Sequence, residues 1–119
     1  MKRRFVESGG FSEDRQRLER ARELSHDDLV ALEQSILADP QAGDLVPGTG
    51  GLRKIRLAQR QVGRGKRGGV RVYYLDLPRR AVTHLFAIFG KLEKSDLSPE
   101  ERRQVAALVK QLKGEEEKP

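Results

Sequence analysis

Apolar positions recur first at helical and then at strand spacing along this chain. Phe5 and Val6, within Arg3–Glu7 and ahead of Gly9-Gly10, predict a short first strand ended by a turn. Ser12 with Glu13 and Asp14 predicts a helix start, and Leu18, Ala21 and Leu24 form its apolar stripe. Ser25 and Asp28 have the spacing of a reciprocal N-terminal cap, followed by a 3.6-period face of Leu29, Leu32, Ile36 and Leu37. Pro40 closes that second helix, because its ring clashes with a preceding helical turn. The segment Gly43–Gly51 is too rich in glycine for a helix and too broken for a strand, so it predicts a loop.

Three strands and a helix follow. Leu52–Leu57 carries the cations Arg53, Lys54 and Arg56 between its apolar positions. Val70–Leu75 is rich in β-branched and aromatic residues, and Ala81–Phe89 repeats the pattern after a Leu77–Arg80 turn. Ser98-Pro99-Glu100-Glu101 combines an N-cap serine, proline in the first turn and acids facing the positive end of the helix dipole. That helix continues through Val105, Leu108, Val109 and Leu112. The tail 115–119 beyond Gly114 has nothing to bury and is expected to be disordered. The order is βααβββα: an α+β single domain over residues 1–114, with a small, mainly antiparallel sheet, two helices before its long strands and one after.

Composition narrows the chemistry. The 119 residues suit one core, and the absence of cysteine excludes disulfides, thiol catalysis and zinc knuckles. No run approaches the roughly 18 apolar residues of a membrane span, and no signal-type apolar run follows the basic start, so a cytoplasmic protein without a membrane partner is expected. The net charge of +6 is strongly segregated: Gly51–Arg80 holds ten basic residues and one acid, Asp76, leaving the rest of the chain at −3. An anionic partner is therefore expected at the middle of the chain.

The string Gly63-x-Gly65-x-x-Gly68 matches a dinucleotide fingerprint, but a strand rather than a helix follows it, so no helix dipole would meet a pyrophosphate. A hairpin loop that frees Arg64, Lys66 and Arg67 to fold over a phosphate backbone is the better reading. His26 and His84 belong to no metal or triad spacing, and carboxylates are scarce near the basic segment, so no cofactor or metal is expected. Strand parity puts Lys54 with Arg56 on one face, and Arg71 with Tyr73 on one face opposite Val70, Val72 and Tyr74. If the valines pack on the helices and the strands pair, these four side chains form an open cationic face with one phenol. Such a face can bind RNA phosphates, spread the charge of a phosphorane and move a proton from a 2′-hydroxyl.

The strings Gly43-Asp44-Leu45-Val46-Pro47-Gly48-Thr49-Gly50-Gly51-Leu52-Arg53-Lys54-Ile55-Arg56, Gly63–Tyr74, Ile88-Phe89-Gly90-Lys91 and Asp96-Leu97-Ser98 resemble the RelE superfamily, in particular its HigB-like branch of type II toxin–antitoxin toxins. The resemblance runs from about Ser25 to Leu112. It implies a RelE-like fold and a ribosome-dependent endoribonuclease that cuts translated mRNA in the ribosomal A site, with the neighbouring 2′-hydroxyl as nucleophile and no metal. By the same resemblance Arg71 neutralises the scissile phosphate, Lys54, Arg56 and Lys66 hold RNA or assist proton transfer, and Lys91 closes the site. Arg53, Arg64 and Arg67 are expected to contact the RNA backbone. Relatives commonly carry Tyr where this chain has Phe89, which leaves Lys54, Lys66 and Tyr73 open as the general base.

The implied partners are mRNA on the ribosome and a cognate helix-turn-helix antitoxin of the HigA-like kind, with operator DNA reached only through the antitoxin complex. The alternative is a non-catalytic RNA- or ribosome-binding module using the same face. Direct operator binding ranks lowest, because no recognition helix is apparent.

Overall fold

A computed structural model describes residues 2–57, 69–90, 93 and 96–118. The chain is α+β, with a five-stranded mixed sheet and three helices. In chain order the elements are β1 (Arg4–Glu7), α1 (Gly9–Arg20), α2 (His26–Ala38), β2 (Asp44–Leu45), β3 (Arg53–Leu57), β4 (Val70–Leu77), a 3-10 turn (Pro78–Arg80), β5 (Val82–Phe89) and α3 (Pro99–Glu117). Across the sheet the strands run β1-β5-β4-β3-β2. β1 lies parallel to β5, and the other neighbours are antiparallel. No helix among the described residues is long and apolar enough to cross a membrane.

Central β4 is buried on both faces, and its parity divides the core. Val70, Val72 and Tyr74 pack with Phe11, Leu18, Leu32 and Ile36 of α1 and α2. Tyr73, Leu75 and Leu77 pack with Leu97 and Val109 on the α3 side. The β4–β5 register slips between Tyr73, which faces Ala87, and Tyr74, which faces Leu85. The residue skipped is Phe86, and it packs with Ala87 in the α3-side cluster. A bulge of this kind resets the side-chain alternation of β5 without disturbing β4.

Both N-terminal helices form, but α1 starts earlier than its sequence predicts. Ser8, not Ser12, is the N-cap: its Oγ accepts from the Phe11 N–H at 3.1 Å, whereas the Ser12 hydroxyl donates to Glu7 at 2.7 Å. Gly9 and Gly10 therefore open the helix instead of making a turn. First-turn N–H groups have no intrahelical partner, and burying Phe11 anchors the turn. α1 ends at Arg20, with Arg22 in the left-handed region at φ 59°, and Leu24 reaches the core from the connection to α2. The Ser25–Asp28 capping box is present as the spacing predicts.

Two further expectations are corrected. Within the predicted Gly43–Gly51 loop, Asp44 and Leu45 form the edge strand β2, too short to leave a periodic signal. The rest of the segment is a tight return: Gly48, Gly50 and Gly51 have positive φ, and buried Thr49 donates its hydroxyl to Val46 O and accepts from Leu52 N. The expected disorder beyond Gly114 is also replaced, for residues 115–117, by the last turn of α3. Glu116 accepts from the Arg79 N–H at 2.8 Å, and Arg80 donates to the Glu115 carbonyl. These contacts offset the ~1 kcal/mol that glycine costs a helix relative to alanine.

The α2–β2 connection is fastened to β4 by one phenol. Tyr74 Oη donates to Pro40 O and accepts from Gly43 N, both at 2.9 Å, inside the core. Gly43 has no room for a Cβ, which would stand 2.9 Å from the Lys54 carbonyl oxygen and from the Tyr74 ring. Tyr74→Phe strands both backbone partners and is expected to cost about 1–3 kcal/mol. A lower urea midpoint at unchanged m value is the expected result; a parental midpoint would show that the phenol bridge does not secure this connection.

Candidate functional site

The β3–β4 ladder brings the cations together. Its register pairs Lys54 with Tyr73 and Arg56 with Arg71, so the four side chains share the α3 side of the sheet. Asp44, on β2, faces Lys54 from the other flank, and a shallow hollow is lined by Ala42, Asp44, Lys54, Ile55 and Arg56. Arg56 directly opposite Arg71 is a like-charge cross-strand contact, which works against stability. Among the described residues, none of Lys54, Arg56 and Arg71 forms an ion pair with a carboxylate.

The face is less open than its sequence predicts. Arg56 is exposed and Lys54 partly so, but Arg71 is only 8% exposed and Tyr73 is fully buried. Tyr73 is covered by α3, whose Val105, Val109 and Leu112 pack with Leu97 against this side of the sheet. Arg71 Nη1 reaches the Gly90 carbonyl at 3.4 Å, while its Nε is buried without a hydrogen-bond partner. Phe89 meets the Tyr73 ring edge-on, with centroids 5.7 Å apart at 74°. It contributes apolar packing and no proton.

Tyr73 has a polar environment that the sequence did not reveal. Its hydroxyl donates to Asp96 Oδ1 at 3.4 Å, and Asp96 Oδ2 lies 3.3 Å from Arg102 Nη2 on α3. Burial, and then the charge of Asp96 and its hydrogen bond, push the Tyr73 pKa up to about 12 against the opposing effects of Arg71 and Arg102. A phenol held there is protonated at neutral pH and donates its hydrogen bond to Asp96. The signal for Asp96 was the Asp96-Leu97-Ser98 string, but no strand parity reaches across to the start of α3. Arg102 left no signal beyond one more charge on a polar helix.

Arg53 is placed elsewhere. Its guanidinium donates to the carbonyls of Gln41 and Gly43 at 3.1 and 2.7 Å, where it braces the α2–β2 connection and not the cationic face. Arg53 lies on the strand face of Ile55 and Leu57, opposite that of Lys54 and Arg56. Asp76, the one acid of the basic segment, is also occupied, by Arg3 and Thr83. Lys66, Lys91, Arg64 and Arg67 lie outside the described residues. Among the described residues no group of three or more His, Asp or Glu side chains is placed to hold a metal ion.

No family model matches the chain. Among solved structures it is similar to a double mutant of the Escherichia coli toxin RelE in its free state, with 20% identity, a TM-score of 0.49, and coverage of 91% of this chain and 97% of that one.

Tyr73 makes an alkaline prediction. A folded-state pKa near 12 lies above the ordinary tyrosine value of 10.0, so the native state holds this proton more tightly than the unfolded chain. The associated stability is present below pH 10 and is lost as the pH rises towards 12, by about 2–3 kcal/mol for a shift of this size. Urea midpoints measured from pH 8 to 11.5 should fall steeply in the parent and less in Tyr73→Phe. Parallel declines in the two proteins would place the Tyr73 hydroxyl in water.

Proposed function

We propose that this protein is a ribosome-dependent mRNA endoribonuclease of the toxin–antitoxin kind, in the HigB-like branch of the RelE superfamily. The observation that carries the reading is the cross-strand pairing of Lys54 with Tyr73 and Arg56 with Arg71 on one sheet face, without carboxylate partners for the three cations among the described residues. Cations kept next to each other at a cost in stability fit a polyanion better than a structural role. The motif strings of these same strands supply the reaction class.

On this reading the 2′-oxygen of one nucleotide attacks its own 3′-phosphorus in line. Its P–O bond forms as the bond to the 5′-oxygen of the next nucleotide breaks, leaving a 2′,3′-cyclic phosphate and a 5′-hydroxyl. Arg71 and Arg56 neutralise the non-bridging oxygens, and charge on a buried arginine such as Arg71 is little screened by water. With Tyr73 held protonated by its raised pKa, the proton of the 2′-hydroxyl goes to Lys54 or Lys66, and the departing 5′-oxygen takes up a proton from water. Lys91 and the Arg64–Arg67 segment complete the RNA contacts. The decoding site of a translating ribosome fixes the mRNA geometry that a face this poor in bases does not itself impose. A helix-turn-helix antitoxin of the HigA-like kind is the proposed cognate partner, and operator DNA is met only through that complex. The chemistry needs no cofactor, and the cytoplasm is its place of action.

One observation favours the non-catalytic alternative: the phenol on the face is protonated and its nearest carboxylate, Asp96, is already hydrogen-bonded. Product ends separate the two readings. Added to translating ribosomes, the protein should produce codon-phased cuts ending in 2′,3′-cyclic phosphate, and it should cut the same deproteinised transcript far more slowly. Lys54→Ala and Arg56→Ala should each slow cleavage about 10²–10³-fold, the usual effect of losing one preorganised charge contact. Arg56→Ala should meanwhile keep or slightly raise the melting temperature, because a like-charge pair is relieved. Intact mRNA at saturating protein would leave only the binding module, and full activity in both variants would move the chemistry off this face.

A further inference from the structure

The contacts of Asp96 have the form of a lock on the cationic face. Its carboxylate sits between the Tyr73 hydroxyl and the Arg102 guanidinium, at 3.4 and 3.3 Å, and its third contact is the Leu97 N–H at 3.2 Å. The first two are long for charge-assisted hydrogen bonds, whose usual range is about 2.5–2.7 Å from a hydroxyl and about 2.7–2.9 Å from a guanidinium. The Asp96 side chain is 51% exposed, so it can leave into water, whereas that of Arg102 is 32% exposed. Arg71 Nε and Arg102 Nε are both shut away from solvent without a hydrogen-bond partner. Buried donors of this kind carry a desolvation penalty that a suitably placed oxyanion would relieve. The Tyr73 hydroxyl is close enough to both guanidiniums to feel their charge, so one small region holds two under-used arginines, a phenol donor and a carboxylate.

We propose that Arg102 is a further phosphate ligand of the cationic face and that Asp96 is a built-in carboxylate stand-in, which a phosphodiester of the RNA backbone must displace to reach Arg102 and the Tyr73 hydroxyl. This assignment rests on the RNA-binding reading of the face made above and adds a residue from α3 to a site otherwise built from β3 and β4. No covalent step is involved: one anion replaces another. The carboxylate carries one charge and two acceptor oxygens on a short tether, and a backbone phosphate brings two non-bridging oxygens with the same charge. The exchange is therefore nearly balanced in charge, and the phosphate's approach from outside lets it engage Arg56 and Arg71 as well. The device lowers affinity for stray anions and leaves the full set of cations to a ligand that can span both strands and the helix.

The test uses the full chain and a short all-2′-O-methyl RNA, which cannot be cleaved, with binding read by fluorescence anisotropy over a salt series. Asp96→Asn keeps a side-chain oxygen for the Leu97 N–H while removing the charge, and should bind about 2–5-fold more tightly than the parent, the effect of releasing one partly exposed ion pair. Arg102→Gln should bind more weakly and lower the salt slope by about 0.7, the loss of one phosphate contact to a single strand. In the double variant the gain from Asp96→Asn should vanish, because the cation it releases is gone. Asp96→Ala, checked with the others for parental circular dichroism and melting temperature, guards against a folding artefact in the asparagine variant. Parental affinity in both Asp96 variants, in a protein whose binding still depends on Lys54 and Arg56, overturns the lock and leaves the function reading standing. Absence of binding by parent and variants alike overturns the function reading, and the lock with it.

Discussion

The pairing of β3 with β4 is the constraint on which the rest depends. A slip of one residue would turn Lys54 and Arg56 towards the α1–α2 core and bring Ile55 and Leu57 to the other side, because side chains alternate along a strand. Burial on both faces prevents that slip. Val70, Val72 and Tyr74 are committed to one cluster, and Tyr73, Leu75 and Leu77 to the other. The hydroxyl of Tyr74 and the glycine-lined return through buried Thr49 then fix where β2 and β3 start. A like-charge contact between Arg56 and Arg71 can persist only because so much apolar packing determines the register around it.

Helix α3 changes the character of the face. Its apolar side covers Tyr73, and the strip has an exposed rim at Arg56, a partly exposed Lys54 and a buried floor of Tyr73 and Arg71. Burial and Asp96 raise the Tyr73 pKa and keep its hydroxyl a donor, and Arg71 lies out of solvent on the same strand face. Phe89 gives an aromatic edge against Tyr73 and no second hydroxyl.

The features legible in the sequence were those with strong local period or chemistry: the capping box at Ser25, the Ser98-Pro99 helix start, and the parity that grouped Lys54 with Arg56 and Arg71 with Tyr73. What stayed hidden depended on tertiary contact. Ser8 became a cap because Phe11 is buried, and Asp44-Leu45 became a strand because the glycine return delivers it to β3. The acidic turn after Gly114 is helical because Arg79 and Arg80 meet it. Within the site, parity could not show that α3 would roof the face or bring Asp96 and Arg102 to the Tyr73 hydroxyl. It set Arg53 apart from Lys54 and Arg56 but could not show that this guanidinium meets two backbone carbonyls.

The central claim is that an RNA backbone lies along the β3–β4 cations at the edge of α3. The most direct measurement is an amide nitrogen–proton NMR titration of the full chain with a short uncleavable RNA at low and moderate salt. The account predicts that the largest shifts fall on Lys54, Arg56, Arg71 and Tyr73, weaken together as salt rises, and leave the amides of α1 and α2 nearly unmoved. Shifts centred instead on the α2–β2 connection or on the helices α1 and α2 would contradict it.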